Sequence, residues 1–288
     1  MASSALLPII SFFLYTTFLL QPISAIRSTP ADGLWGTFSR DKFAFGETAA
    51  QLVDIGYLDF GCSNYSSSQF LGQQIGALGL NQQTMSFVSQ LGIKKFSYCM
   101  VSPDNEAGGV MYFGSQAVIS GGKTPFLDAK DDAYYVNVTG ISIGDQNVPL
   151  PDGIFDLTSD GEGGFIIDSG ATYTMLRPEA FDALVKALGE NIHLPQRRYR
   201  WFELCFVGSF EDLESAGPDI TFNFDGAVVM LLKQTSYIEV EKGVWCLAMI
   251  RSRGKLSTLG SIQQRHYFVG FDLEEQVVSF APVNCAIF

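Results

Sequence analysis

Chemistry in this chain concentrates in the stretch Gly163-Gly164-Phe165-Ile166-Ile167-Asp168-Ser169-Gly170-Ala171-Thr172-Tyr173-Thr174-Met175-Leu176. An apolar run delivers Asp168 into a Ser-Gly turn, and a second apolar run follows at once. A carboxylate between such flanks cannot simply face bulk water. It needs the backbone N–H groups of Gly170 and Ala171, or a second acid beside it, because an unpaired buried charge is costly. The residues alone leave two readings open, an acid–base carboxylate or a plain Asp-Gly type turn. Other chemistries have less to stand on. Two histidines and five cysteines without a Cys-x-x-Cys pair do not make a zinc site, so neither metal nor cofactor is expected. A serine hydrolase is set aside because the chain has no Gly-x-Ser-x-Gly elbow. His193, in a polar loop, and His266, in Gln263-Gln264-Arg265-His266, are both expected at the solvated surface.

The elements that must position Asp168 are mostly short strands. Tyr134 to Thr139 alternates apolar and polar residues, and after Gly140 the pattern resumes at Ile141-Ser142-Ile143. Similar runs occur at Val110 to Phe113, Val228 to Leu232, Tyr237 to Val240, Trp245 to Ile250 and Val277 to Phe280. Asp145, Asp152-Gly153, Asp160-Gly161 and Asp225-Gly226 punctuate them as turns. The fold class is therefore mainly β. Two helices interrupt it. Pro178 to Leu188 places Phe181, Leu184, Val185 and Leu188 on one face, opened by proline and closed by Gly189. A shorter helix runs from an N-cap at Thr84 through Met85, Val88 and Leu91 to Gly92. The segment Leu194 to Arg200, with Arg197, Arg198 and Arg200, reads as a solvated loop.

Composition bounds the partners. The 288 residues carry 18 Lys and Arg against 30 Asp and Glu, a net charge of −12, so nucleic acid is not an expected partner. Apolar residues make up 47% of the chain, which is enough for a large core. Residues 1–25 are uncharged and carry the apolar runs Leu6 to Tyr15 and Phe18 to Leu20, which predict a secretory signal peptide cleaved near Ser24 and Ala25. A membrane anchor is the alternative, but Pro8 and Pro22 bracket a stretch short of the ~20 residues a span needs, so no stable insertion is expected after cleavage. An oxidising compartment then favours structural disulfides among Cys62, Cys99, Cys205, Cys246 and Cys285, with at least one thiol left unpaired or bonded elsewhere. The sequons at Asn64 and Asn137 are compatible with glycosylation.

Eight segments in order carry a resemblance. They are Asp59-Phe60-Gly61-Cys62, Gly76-Ala77-Leu78-Gly79-Leu80, Lys95-Phe96-Ser97-Tyr98-Cys99, Tyr134 to Gly144, Ile166 to Leu176, Trp245-Cys246-Leu247-Ala248, Leu259-Gly260-Ser261, and Phe271-Asp272-Leu273 through Phe280-Ala281-Pro282. Over about residues 32 to 288 the chain resembles the plant pepsin-like aspartic proteases of the nepenthesin-like group. The resemblance implies a bilobal acid-protease fold. Residues 26–130 would be an incomplete first lobe, and residues 131–288 a complete second lobe similar to a xylanase-inhibitor C-terminal domain. It makes Asp168 the second catalytic aspartate, with Ser169, Gly170 and Thr172 in the active-site turn, and it pairs Cys205 with Cys246. It also implies peptide or protein substrates and a secreted location, in the cell wall or apoplast, or a vacuolar one.

The chain departs from that pattern in two places. Asp168 heads the sole Asp-Ser-Gly or Asp-Thr-Gly in the sequence, whereas the family chemistry uses two aspartates that share a proton and a water. The chain enters the likeness at about Asp32-Gly33, so the first aspartate and the flap are expected to be missing, and one of Cys62, Cys99 and Cys285 to have lost its partner. Ala171 stands where the family usually has Ser or Thr to hydrogen-bond the carboxylate. Two functions follow as expectations. One is an aspartic endopeptidase, impaired as a monomer and completed by a partner chain or homodimer. The other is a non-catalytic secreted binding or inhibitor protein of the same fold.

Overall fold

The computed structural model of the chain describes residues 34–45, 53–66, 77–102, 108–129 and 131–288. The leader over 1–25, Asp32-Gly33, Gly76 and the side chain of Asn64 lie outside the described residues. Contacts divide the chain into two compact units, Met1–Lys94 and Lys95–Phe288.

The first unit is built around an antiparallel ribbon of two strands, Leu34–Phe45 and Val53–Ser66. Its register sets Arg40 opposite Asp59, and these two form an ion pair at 3.7 Å. A register shift between Phe43 and Ala44 is accommodated at Gly56, whose φ of +89° is a left-handed backbone that favours glycine. The rings of Phe43 and Phe60 meet edge to face at 5.3 Å. A one-turn helix, Phe87–Gln90, reaches this ribbon through the Gln90 side chain. The Gln90 amide accepts from the Asp59 N–H at 2.7 Å and donates to the Asp59 carbonyl at 2.9 Å, as a neighbouring strand would.

Among the described residues the second unit holds four sheets. Five strands pair antiparallel in the order Val110–Phe113, Lys95–Cys99, Tyr267–Asp272, Val277–Pro282, Gly122–Pro125. A four-stranded sheet runs Ala227–Leu231, Ile220–Phe224, Val138–Ile143, Gln146–Asn147, and another Gln196–Tyr199, Phe202–Val207, Val244–Leu247, Tyr237–Glu241. The fourth sheet, which carries the site, contains parallel pairings and is described below. Aromatic side chains fill the core: Phe96 stacks on Phe271 at 4.5 Å, Tyr134 tilts against Phe271 at 4.7 Å, and Phe224 stacks on Phe280 at 5.2 Å. Two disulfides bind the unit. Cys205 and Cys246 sit directly opposite on adjacent strands and are bonded, as the resemblance implies. Cys99 is bonded to Cys285, 186 residues away, which leaves the half-buried Cys62 as the free thiol among the described residues.

The mainly β reading holds, and the local differences have physical reasons. The short helix starts after Ser86 rather than Thr84, because the Ser86 hydroxyl accepts the Ser89 N–H at 3.2 Å and so caps the turn. The long helix runs Pro178–Asn191, through Gly189; it ends where Ile192 turns extended and buries its side chain. The segment read as a solvated loop forms the edge strand Gln196–Tyr199, whose charged side chains stay outside and pair with Glu203 and Glu241. The run Trp245 to Ile250 is two strands, Val244–Leu247 and Met249–Arg251, broken at the fully buried Ala248. The unit boundary at Lys94/Lys95 precedes the expected domain boundary at 130/131, since Lys95–Pro125 hydrogen-bonds to the C-terminal strands.

Candidate active site

The strand Phe165–Ile167 brings the aspartate to its position. Phe165 is fully buried against Phe155, Phe222 and Phe224, with ring centroids 5.5, 5.9 and 6.0 Å away, so the strand is anchored by its first side chain. The next residues are fixed through their backbones. The Ile167 N–H donates to the Tyr134 carbonyl at 3.0 Å, and the Asp168 N–H to the Leu259 carbonyl at 3.2 Å. The chain then turns sharply. The Gly170 N–H donates to Asp168 Oδ1 at 2.8 Å and the Ala171 N–H to the Asp168 carbonyl at 3.3 Å. The turn thus supplies one of the two donors the sequence suggested to the carboxylate itself, and the other to the main chain.

A second strand threads between the arms of this turn. Ser257–Leu259 runs parallel to Phe165–Ile167 and bridges to Met175 on Thr174–Leu176, which in turn pairs in parallel with Met249–Arg251. The threading demands glycine where the strand emerges. A Cβ on Gly260 would lie 2.3 Å from the Tyr173 carbonyl carbon and 2.5 Å from its oxygen. The Gly260 N–H donates to Thr174 Oγ1 at 3.0 Å, and the Thr174 N–H to Gln263 Oε1 at 3.0 Å. Beyond it, the Ala171 and Thr172 carbonyls accept the N–H groups of Ser261 and Ile262 at 2.7 and 3.2 Å. The turn is therefore held from both sides by backbone donors and acceptors.

Asp168, Ser169 and Ala171 are half-buried, while Gly170 and Thr172 are exposed, so the predicted site residues share one accessible turn. Such a carboxylate can exchange a proton with a water or a second acid placed against it, which is the chemistry of general acid–base catalysis. Among the described residues no cluster of three His, Cys, Asp or Glu side chains is arranged to hold a metal ion. His193 is exposed as expected, but His266 is half-buried in a left-handed conformation, its N–H donating to the Met100 carbonyl at 3.2 Å. Asn137 is half-buried on the way into a strand, and its carbonyl accepts the Asp225 N–H at 3.0 Å. Sequence reading missed the second layer of the site. Gln263 and Gln264, in the short helix Ser261–Gln264, are fully buried, as is Tyr98. The signal available was two adjacent glutamines directly after the apolar Leu259-Gly260-Ser261-Ile262.

This threaded Asp-Ser-Gly turn within mainly antiparallel sheets is a pepsin-like fold. Solved structures agree on it: conglutin gamma from lupine seeds superposes with a TM-score of 0.70 at 23% identity, over 86% of this chain and 69% of that one. Basic 7S globulin from soybean gives 0.67 at 21%, over 92% of this chain and 80% of that one. Family models described as xylanase inhibitor C-terminal and N-terminal match residues 133–282 and 25–115. Nepenthesin-2 of Nepenthes gracilis, an aspartic proteinase, is 33% identical over 258 residues, 87% of this chain and 58% of the relative. The Arabidopsis thaliana protein ASPARTIC PROTEASE IN GUARD CELL 2 is 31% identical over 261 residues, 87% of this chain and 54% of the relative. The chain belongs to the plant pepsin-like aspartic protease family and spans little more than half the length of these relatives.

Proposed function

We propose that the chain is an aspartic-type endopeptidase component in which Asp168 supplies one of two carboxylates that activate a water against a peptide bond. The observation that carries this reading is the Asp168 turn itself, which leaves a half-exposed carboxylate bound by one N–H donor, from Gly170, among the described residues. In the two-carboxylate mechanism, like charges so close cannot both ionise; one group takes a proton from the water while the other protonates the carbonyl. The sequence has one Asp-Ser-Gly turn, and the reading requires a second carboxylate facing Asp168. A second copy of this chain, presenting its own Asp168 across a two-fold axis, meets that need. The apolar residues 1–25 and the two disulfides support entry into the secretory pathway, with an extracellular or vacuolar destination. Asn64 and Asn137 are the proposed glycosylation sites. No helix among the described residues is long and apolar enough to cross a membrane.

Incubation with an unfolded protein at acidic pH, with and without a pepstatin-type inhibitor, tests the reading. Inhibitor-sensitive cleavage that rises with protomer concentration and disappears in Asp168→Asn is the expected result. Absence of inhibitor-sensitive cleavage at any concentration would remove it. One observation favours a second reading, a non-catalytic binding protein of the same fold. Ala171 offers no hydroxyl to the carboxylate, a loss of about 1.5–3 kcal/mol for a hydrogen bond to a charged partner. Inhibition of a secreted glycan hydrolase by the purified chain, unaffected by Asp168→Asn, would support that reading over the first.

A further inference from the structure

Behind the Asp168 turn runs a chain of polar contacts through the core. Tyr98 lies on the strand Lys95–Cys99, opposite Val269, and is 3% exposed. A phenol in such a place must find partners for its hydroxyl, because an unpaired buried polar group is destabilising. It finds one: the Tyr98 hydroxyl donates to Gln264 Oε1 at 2.5 Å. The other end of the Gln264 amide, Nε2, donates to the Leu259 carbonyl at 2.7 Å. That same carbonyl accepts the N–H of Asp168 at 3.2 Å. The sequence of contacts is therefore Tyr98, Gln264, Leu259, Asp168, and it ends on the main chain of the turn.

We infer that Tyr98 is a positioning residue, which through Gln264 and Leu259 fixes the Asp168 turn from within the core. The role rests on reading Asp168 as the reactive carboxylate, but the tether is measurable without any reaction. Every member is uncharged, so the tether holds over the whole pH range in which the protein stays folded. Chained hydrogen bonds of this kind lose more when one member is cut than a single pair would.

Hydrogen exchange of backbone amides in the 15N-labelled chain reads the tether directly. In Tyr98→Phe, which keeps the ring and removes the hydroxyl, the Asp168 and Gly170 amides exchange about tenfold faster, the effect of one buried hydrogen bond on a local opening. The amides of Val269 and Gly270, on the strand paired with Tyr98, keep their rates. Gln264→Leu, which cuts the same chain one link further on, produces the same local acceleration, and the double variant is no faster than Tyr98→Phe alone. Unchanged exchange at Asp168 in Tyr98→Phe, equal acceleration at Asp168 and Val269, or summed effects in the double variant would each overturn the inference. Absence of proteolysis in the wild-type chain removes the endopeptidase reading and leaves this one standing, and failure of the exchange experiment does the reverse.

Discussion

Two aspartates of the second unit occupy opposite conditions. Asp272 ends the central strand Tyr267–Asp272 with its side chain 4% exposed. Its Oδ1 accepts the N–H groups of Glu274 and Glu275 at 3.2 and 3.1 Å, and its Oδ2 meets Lys95 Nζ at 2.8 Å. Burial by itself would raise its pKa, but Lys95 and the two amides outweigh it and hold the carboxyl below the usual range. Asp168 follows directly on a strand, yet it is half-buried and draws one amide from the turn. A carboxylate held by two amides and an ammonium group is a structural part. One that draws a single amide at an accessible turn keeps acceptor capacity in reserve. The difference separates two Asp residues that follow apolar strands in much the same way, Phe-Ile-Ile-Asp and Val-Gly-Phe-Asp.

Breaking the Asp272 side of the comparison should cost the fold. The largest effect is expected from its sheet's covalent clamp. Replacing Cys99 and Cys285 by Ala together removes a long-loop constraint worth about 5 kcal/mol in the chain-entropy account, against about 4 for Cys205 with Cys246; urea unfolding of the two double variants compares them. Asp272→Asn, which retains the amide contacts and loses the ion pair with Lys95, should lower stability by about 2 kcal/mol in the same assay. The pH dependence sharpens this. Because the folded pKa of Asp272 is depressed, its contribution is complete above the unfolded value of about 4 and is lost as pH falls through the folded value. The stability gap between wild type and Asp272→Asn should therefore be constant at neutral pH and close below about pH 4. Asp168→Asn should behave differently, shifting stability by no more than about 1 kcal/mol at neutral pH while removing all cleavage. A large stability loss in Asp168→Asn would erase the contrast.

Asp168, Ser169 and Gly170 stood out as a carboxylate turn between two apolar runs, but the residues alone did not separate them from a plain turn, and only the eight ordered segments of the resemblance did. The helix from Pro178 was legible through its apolar period, but its end was not, since Gly189 stays helical and the Gln196 side chain reaches back to its carbonyl at 2.7 Å. Edge strand Gln196–Tyr199 was hidden by its own arginines, which protect the edge and look like a loop. The supporting layer was the least legible. Tyr98, Gln263 and Gln264 are polar residue types buried by long-range pairing, and their partners lie up to 166 residues away in the sequence. No local pattern encodes that distance.

The bond between Cys99 and Cys285 has a consequence for biogenesis. The strand Lys95–Cys99 pairs with Tyr267–Asp272, and its cysteine partner follows still later in the chain. During synthesis the early half of this sheet must wait, its apolar face unprotected, until the ribosome has delivered the later strands and the partner cysteine 186 residues on. Oxidative closure then records that assembly has finished, so a thiol-trapping pulse-chase during translation should find Cys99 reduced on every nascent chain that has not yet released Cys285.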